Sequence, residues 1–346
     1  MRKMKNLLVA TLATAATLAS STALAASEQA LAKQLALKLQ NSDDVSQTVK
    51  AVAKSETPLL ISHVLPSLNN SRSVLSAGKT DVTELWLHLP DSRALGGDMS
   101  DLVIAYPPAG NEQSWTEVTG YDLKGGVVTM DVHEAPDFPV IVVDDHGYHA
   151  MQKGLNKLNE ALREAGLQQH APVAASGFDS KKLTKIRLDD DKEPWIKGSA
   201  EIYGLVTGVL AGNEPQVVAV DMPYLDNDGT NYYPNQLFIN WTQYEYQVVD
   251  MLLYEDDGDD VNYKSLVQAL ITAAGAIGNL AGYPPIQAVA EITNRVIDAV
   301  PDNFFTDDDD FVDACYTIEK FKRYTDHRCA GGNARVNMEH FFVQSN

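Results

Sequence analysis

Apolar residues recur at helical spacing near the start of the chain and at alternate positions soon after. Leu31, Leu35 and Leu39, then Val45, Val49 and Val52, fit one face of a 3.6-residue period. The row breaks at Asn41-Ser42-Asp43-Asp44, where Ser42 can cap a second helix, so two short helices are predicted between Ser27 and Lys54. From Val82 the period falls towards two, and β-branched and aromatic residues concentrate in Val82 to Leu89, Leu102 to Tyr106, Trp115 to Asp122, Val127 to Val132 and Pro139 to Val143. Gly96-Gly97, Pro107-Pro108 and Gly125-Gly126 punctuate these strands. Ala150 to Ala165 returns to helical spacing through Met151, Leu155, Leu158 and Leu162 and stops at Gly166; this amphipathic helix is expected to lie on the first sheet.

The polar stretch from Gln168 to Ser176, with Pro172, marks a domain boundary. Beyond it, strands are predicted at Leu183 to Leu188, Ala200 to Val209, Gln216 to Asp221, Gln236 to Trp241, Tyr246 to Tyr254, Phe311 to Lys320 and Ala334 to Val343. Tyr263 to Leu280 and Ile286 to Val300 read as two helices split by Gly282-Tyr283-Pro284-Pro285. The expected fold class is α+β. A small β-rich N-terminal domain with packed helices (26–170) precedes a β-sandwich domain (177–346) that carries a helical insertion (263–300).

Charge narrows the partners. Among 346 residues, 27 are basic and 47 acidic, and the formal net charge is −20. Without a basic stripe such a chain repels a phosphate backbone, which excludes nucleic acid. Arg2, Lys3 and Lys5, the apolar run Leu7 to Leu18 and Ala23-Leu24-Ala25 form a cleavable leader, so 1–25 is predicted to be a signal peptide. The mature chain has no stretch apolar and long enough to be a transmembrane segment, and it is expected to be exported, in the periplasm or secreted. An oxidising compartment suits the two cysteines, Cys315 and Cys329, to a disulfide pinning a C-terminal hairpin; the alternative is a catalytic thiol served by His327.

Acids gather in predicted loops of the second domain: Asp189, Asp190, Asp191 and Glu193; Asp226 and Asp228; Glu255, Asp256, Asp257, Asp259 and Asp260; and Asp307 to Asp310. Between Ile186 and Asp260, sixteen acids face only Arg187, Lys192 and Lys197, an imbalance that demands a counter-ion or abundant water. Calcium takes six to eight oxygen ligands, and carboxylates on adjacent inter-strand loops can supply them. The predicted calcium ligands are Asp189, Asp190, Asp191, Glu255, Asp256, Asp257 and Asp259. The competing reading is acidic turn chemistry that keeps an exported protein dissolved. An EF-hand does not fit, because Gly229 or Gly258 at the sixth position would put Tyr224 or Leu253 where the first Asp belongs.

The order Leu188-Asp189-Asp190-Asp191, Pro194-Trp195, Ala200-Glu201-Ile202-Tyr203, Pro234-Asn235-Gln236 with Trp241, and Leu253-Tyr254-Glu255-Asp256-Asp257 resembles the strand-and-loop order of C2-type calcium-binding β-sandwiches. Asp221-Met222-Pro223-Tyr224-Leu225-Asp226, Asp228-Gly229, Tyr233-Pro234-Asn235-Gln236 and Tyr316-Thr317-Ile318-Glu319-Lys320 resemble the exported bacterial family filed as domain of unknown function 3103. That resemblance covers most of the mature chain and implies no activity and no catalytic residue.

A second constellation lies in the first domain. Asp144-Asp145-His146-Gly147-Tyr148-His149 ends a strand and opens a helix, so His146 and His149, with Glu134 from the preceding strand end, can be drawn as an alternative metal site. It would serve a secreted metal-dependent hydrolase with Glu134 or Asp145 as general base. No His-Glu-x-x-His, nucleophile elbow or phosphate-binding glycine loop occurs. The sequence favours binding over catalysis: a calcium-stabilised module presenting loops to a glycan, a lipid head group or a protein surface.

Overall fold

The computed structural model describes residues 28–39, 42–54, 58–64, 83–90, 97–110, 114–145, 147–168, 177–190, 194–198, 200–210, 212–225, 227–256, 268–272, 282–299 and 311–344. The leader expected over 1–25 lies outside the described residues, as do His146, Asp191, Asp257 and Asp259. Of the helix expected from Tyr263 to Leu280, residues 268–272 are described and helical. The chain divides into two compact units, Met1–His149 with Glu193–Gly198, and Ala150–Lys192 with Ser199–Asn346.

In the first unit, helices α1 (28–38) and α2 (Ser42–Ala53) bring Leu31, Leu35, Val45 and Val49 together with Leu85, Ile104, Ile141 and Val143 in one apolar cluster. The strands are Leu59–Leu60 (β1), followed directly by the helical turn Ile61–Val64 (α3), then Glu84–His88 (β2), Val103–Ala105 (β3), Glu117–Asp122 (β4), Val127–Asp131 (β5) and Val140–Asp144 (β6). They form one sheet of order β1-β2-β6-β3-β4-β5, antiparallel except where β3 runs parallel to β6. Alternation sends Val103, Ala105, Val140 and Val142 to the opposite face, where Trp115, Val118 and Ile196 form a second cluster. Every residue of β6 is therefore buried, as a strand covered on both faces requires.

Trp195 and Ile196 reach that second cluster from far along the sequence. Trp195 Nε1 donates to Asp131 O at 2.9 Å. Gly198, at φ 90°, lies where a Cβ would come 2.8 Å from the Trp86 ring. A short segment between two strands of the second unit thus completes the core of the first, which hydrophobic periodicity does not reveal.

Helix α4 (Tyr148–Glu164) belongs to the second unit from Ala150 on, and its buried Met151, Leu155, Leu158 and Leu162 are those predicted. Gly166, at φ 78°, ends it, with Gly166 N donating to Arg163 O and Leu167 N to Leu162 O. The strands are Phe178–Leu188 (β7), Ile202–Val209 (β8), Pro215–Asp221 (β9), Gln236–Asn240 (β10), Val248–Glu255 (β11), Phe311–Glu319 (β12), Tyr324–Arg328 (β13) and Ala334–Val343 (β14). They make two antiparallel sheets, β10-β7-β14-β13 and β12-β11-β8-β9. Leu183, Ile186, Val336 and Met338 from one and Ile202, Val206, Met251 and Val312 from the other share a single core cluster. Helix α5 (Pro285–Ala299) packs on β8 and β11, which explains why both strands are buried along their whole length.

Two expectations change here. Helix α4 was expected on the first sheet, yet it lines β9, an edge strand of the second unit. Asn159 Nδ2 donates to Ala219 O and Ala219 N to Asn159 Oδ1, while Val217 N donates to Leu167 O. An edge strand exposes unpaired backbone groups, and these bonds satisfy them. The hairpin expected to join the strands of Cys315 and Cys329 is also not formed, because β12 pairs with β11 and β13 with β14. Cys315 and Cys329 are bonded, both buried in the shared core, so the disulfide joins one sheet to the other.

Candidate functional site

Of the acids expected to bind calcium, those described (Asp189, Asp190, Glu255 and Asp256) lie at one end of the second unit. β7 ends at Leu188 opposite Ala334, the first residue of β14. β11 ends at Glu255 opposite Ile202, the first residue of β8, and Tyr254 is opposite Phe311, the first residue of β12.

A single amide organises part of this end. Asp189 N and Asp190 N donate to Asn333 Oδ1 at 3.0 and 2.8 Å, and Asn333 Nδ2 donates to Asp190 O at 2.7 Å and to Val312 O at 3.2 Å. The loop after β7 is thereby tied to β12 in the other sheet. Asp313, fully buried, reinforces the joint. Its Oδ1 accepts from Ala314 N at 2.7 Å and Gly331 N at 2.6 Å, and its Oδ2 accepts from Ala334 N at 2.7 Å. Glu201, Glu255 and Asp256 are also buried, with Asp256 N donating to Glu201 O at 3.0 Å.

Of the predicted calcium ligands, Asp189 and Asp190 are exposed, with Asp189 Oδ1 3.1 Å from Arg187 Nε, whereas Glu255 and Asp256 are buried. Among the described residues, no group of three or more His, Cys, Asp or Glu is arranged to hold a metal ion. Sequence reasoning missed Asp313 and Asn333. The signal for Asp313 was an acid set inside an otherwise apolar strand, Val312-Asp313-Ala314-Cys315; nothing in the sequence marked Asn333.

In the first unit, His149 meets a carboxylate other than the one expected. Its Nδ1 lies 2.5 Å from Glu84 Oε2, while Glu134 is exposed beyond the end of β5. Glu84 also accepts from Tyr148 N at 2.9 Å and His149 N at 3.3 Å, so a strand carboxylate caps the first turn of a helix. Gly147 permits this approach, since a Cβ there would fall 1.8 Å from Glu84 Oε1. Nearby, Thr83 Oγ1 donates to Asp145 Oδ1 at 2.5 Å. Burial holds the Glu84 carboxyl above its ordinary range, with the His149 hydrogen bond opposing and Asp144 adding to the rise.

Two outcomes follow for Glu84. Replacing it with Ala is expected to cost about 2 kcal/mol at neutral pH, read from urea unfolding, because partly buried donors on Tyr148 and His149 lose their acceptor. Its raised folded-state pKa adds stability that is fully present below the unfolded-state value of 4.5 and is lost as pH rises through the folded value. Glu84→Gln should therefore flatten that fall in stability with pH, and an unchanged slope would show that another group causes it.

The arrangement defines a two-unit α+β protein in which sheets dominate, with no helix among the described residues long and apolar enough to cross a membrane. The chain belongs to the family described as "Protein of unknown function (DUF3103)", whose model matches residues 16–346. No curated protein and no solved structure matches the chain.

Proposed function

We propose that this protein is an exported binding protein whose second unit is a C2-like module with its acidic loop end held by calcium. One observation carries the reading. Buried Glu201, Glu255, Asp256 and Asp313 lie at the same end of the two-sheet core as exposed Asp189 and Asp190. Asp257 is the second residue in sequence after the end of β11. The donors are all oxygen, which suits a hard cation, and a bound cation offsets the mutual repulsion of carboxylates brought close. Calcium would stiffen the loops and present them to a glycan, an anionic lipid head group or a protein surface. The metal-dependent hydrolase has less support, since the carboxylate beside His149 is Glu84 and not the Glu134 drawn for that site.

Titration calorimetry of calcium into the full chain is expected to show saturable binding that weakens about tenfold in Asp189→Asn/Asp190→Asn, as loss of ligand charge weakens calcium sites. Heat no greater than dilution at millimolar calcium would remove the proposal.

A further inference from the structure

A cavity of about 580 Å³ opens within the first unit, between α2, the segment 97–100 and the turn joining β4 to β5. Its volume falls within the range of small-molecule sites. Each wall has a separate cause. On α2, Val45 and Val49 sit one turn apart, as do Ser46 and Lys50, so one stripe of the helix offers an apolar floor with a polar rim. Met99 closes one side and is itself buried in the core cluster, with Leu102 N donating to Met99 O at 3.1 Å.

The third wall, Leu123 and Lys124, is fixed in place. Asp122 Oδ1 accepts from Lys124 N at 2.8 Å and Gly126 N at 2.7 Å, and Gly125 N donates to Asp122 O at 2.9 Å. Gly125, at φ 82°, lies against α1, where a Cβ would come 2.9 Å from Leu37 Cδ2. The cavity is therefore preformed, which lowers the ordering cost of filling it.

Charge selects the ligand. Lys50 and Lys124 both line the cavity, and neither ammonium has an ion pair among the described residues. The acid in the lining, Asp98, accepts from Ser100 N at 2.9 Å. Two unpaired cations beside an apolar floor stand out in a chain of net charge −20. We propose that this cavity binds a single-chain aliphatic carboxylate, its hydrocarbon tail against Val45, Val49, Met99 and Leu123 and its carboxylate between Lys50 and Lys124.

The test is titration calorimetry of dodecanoate, below its micelle concentration, into the full chain, with dodecanol and dodecyl phosphate as comparisons. One saturable site is expected for dodecanoate, with dodecanol weaker by about tenfold for want of the charge-assisted contacts. Ser46→Trp, at a partly exposed rim position, should abolish binding without lowering the melting temperature. Lys50→Glu/Lys124→Glu should weaken dodecanoate at least tenfold and leave dodecanol unchanged. Absence of saturable dodecanoate binding, wild-type affinity in folded Ser46→Trp, or equal losses for dodecanol and dodecanoate in the double variant would overturn the proposal. Tighter binding of dodecyl phosphate than of dodecanoate would overturn the assignment of a carboxylate head. The calcium titration involves none of these residues, so the two proposals fail independently.

Discussion

Asp313→Ala is expected to destabilise the second unit by about 4 kcal/mol, among the largest effects a single substitution gives. The carboxylate is fully buried and accepts from three backbone N–H groups, Ala314, Gly331 and Ala334. Ala removes all three acceptor contacts at once, and a buried donor left without a partner loses its full hydration. Asp313→Asn should cost about half as much, because its carbonyl still serves two of the donors while its amide opposes the third. Equilibrium urea unfolding of the wild type and both variants measures the series. Equal stability of wild type and Asp313→Ala would mean that these backbone groups find other partners.

Replacing both cysteines by serine is expected to cost about 3 kcal/mol, the chain-entropy value for a loop of this order. Their sequence separation is 14, yet Cys315 lies in β12 of one sheet and Cys329 directly follows β13 of the other, so reduction frees the sheets to part. Ala330 N donates to Ala314 O at 2.8 Å beside the bond, and Asp313 stands two residues before Cys315. Residues sharing one joint do not add independently, and the triple variant should lose less than the sum of the separate losses. The midpoint of unfolding with and without reductant gives the first value. No change on complete reduction would show that hydrogen bonding alone holds the sheets.

Local pattern explains what was legible and what was not. Most strand segments were visible through their concentration of β-branched and aromatic residues, and α4 was visible through Met151, Leu155, Leu158 and Leu162. Where α4 packs depends on the backbone needs of β9, which Asn159 meets through a polar contact that hydrophobic spacing does not encode. The hairpin expected around the two cysteines did not form because β12 and β13 are adjacent in sequence but pair with different strands. Trp195 read as part of an acidic loop, whereas it belongs to the core of the other unit.

The candidate sites show the same division. The crowding of acids after β7 and β11 was legible as composition, but the sorting into exposed Asp189 and Asp190 and buried Glu255 and Asp256 depends on strand register. Glu84 lies 65 positions from His149, so nothing local in the sequence joins them. The cavity of the first unit arises from three segments that become neighbours only when the sheet forms.

The central claim is that a cation holds the acidic end of the second unit, and the most direct test is thermal unfolding of the full chain in EDTA, in magnesium and in calcium. A ligand that binds only the folded state raises the melting temperature by mass action. The account predicts a rise in calcium that magnesium does not reproduce, because a loop site of many oxygens suits the larger and less geometrically demanding ion. Identical melting temperatures in EDTA and saturating calcium would contradict it and return the acids to solvated turns.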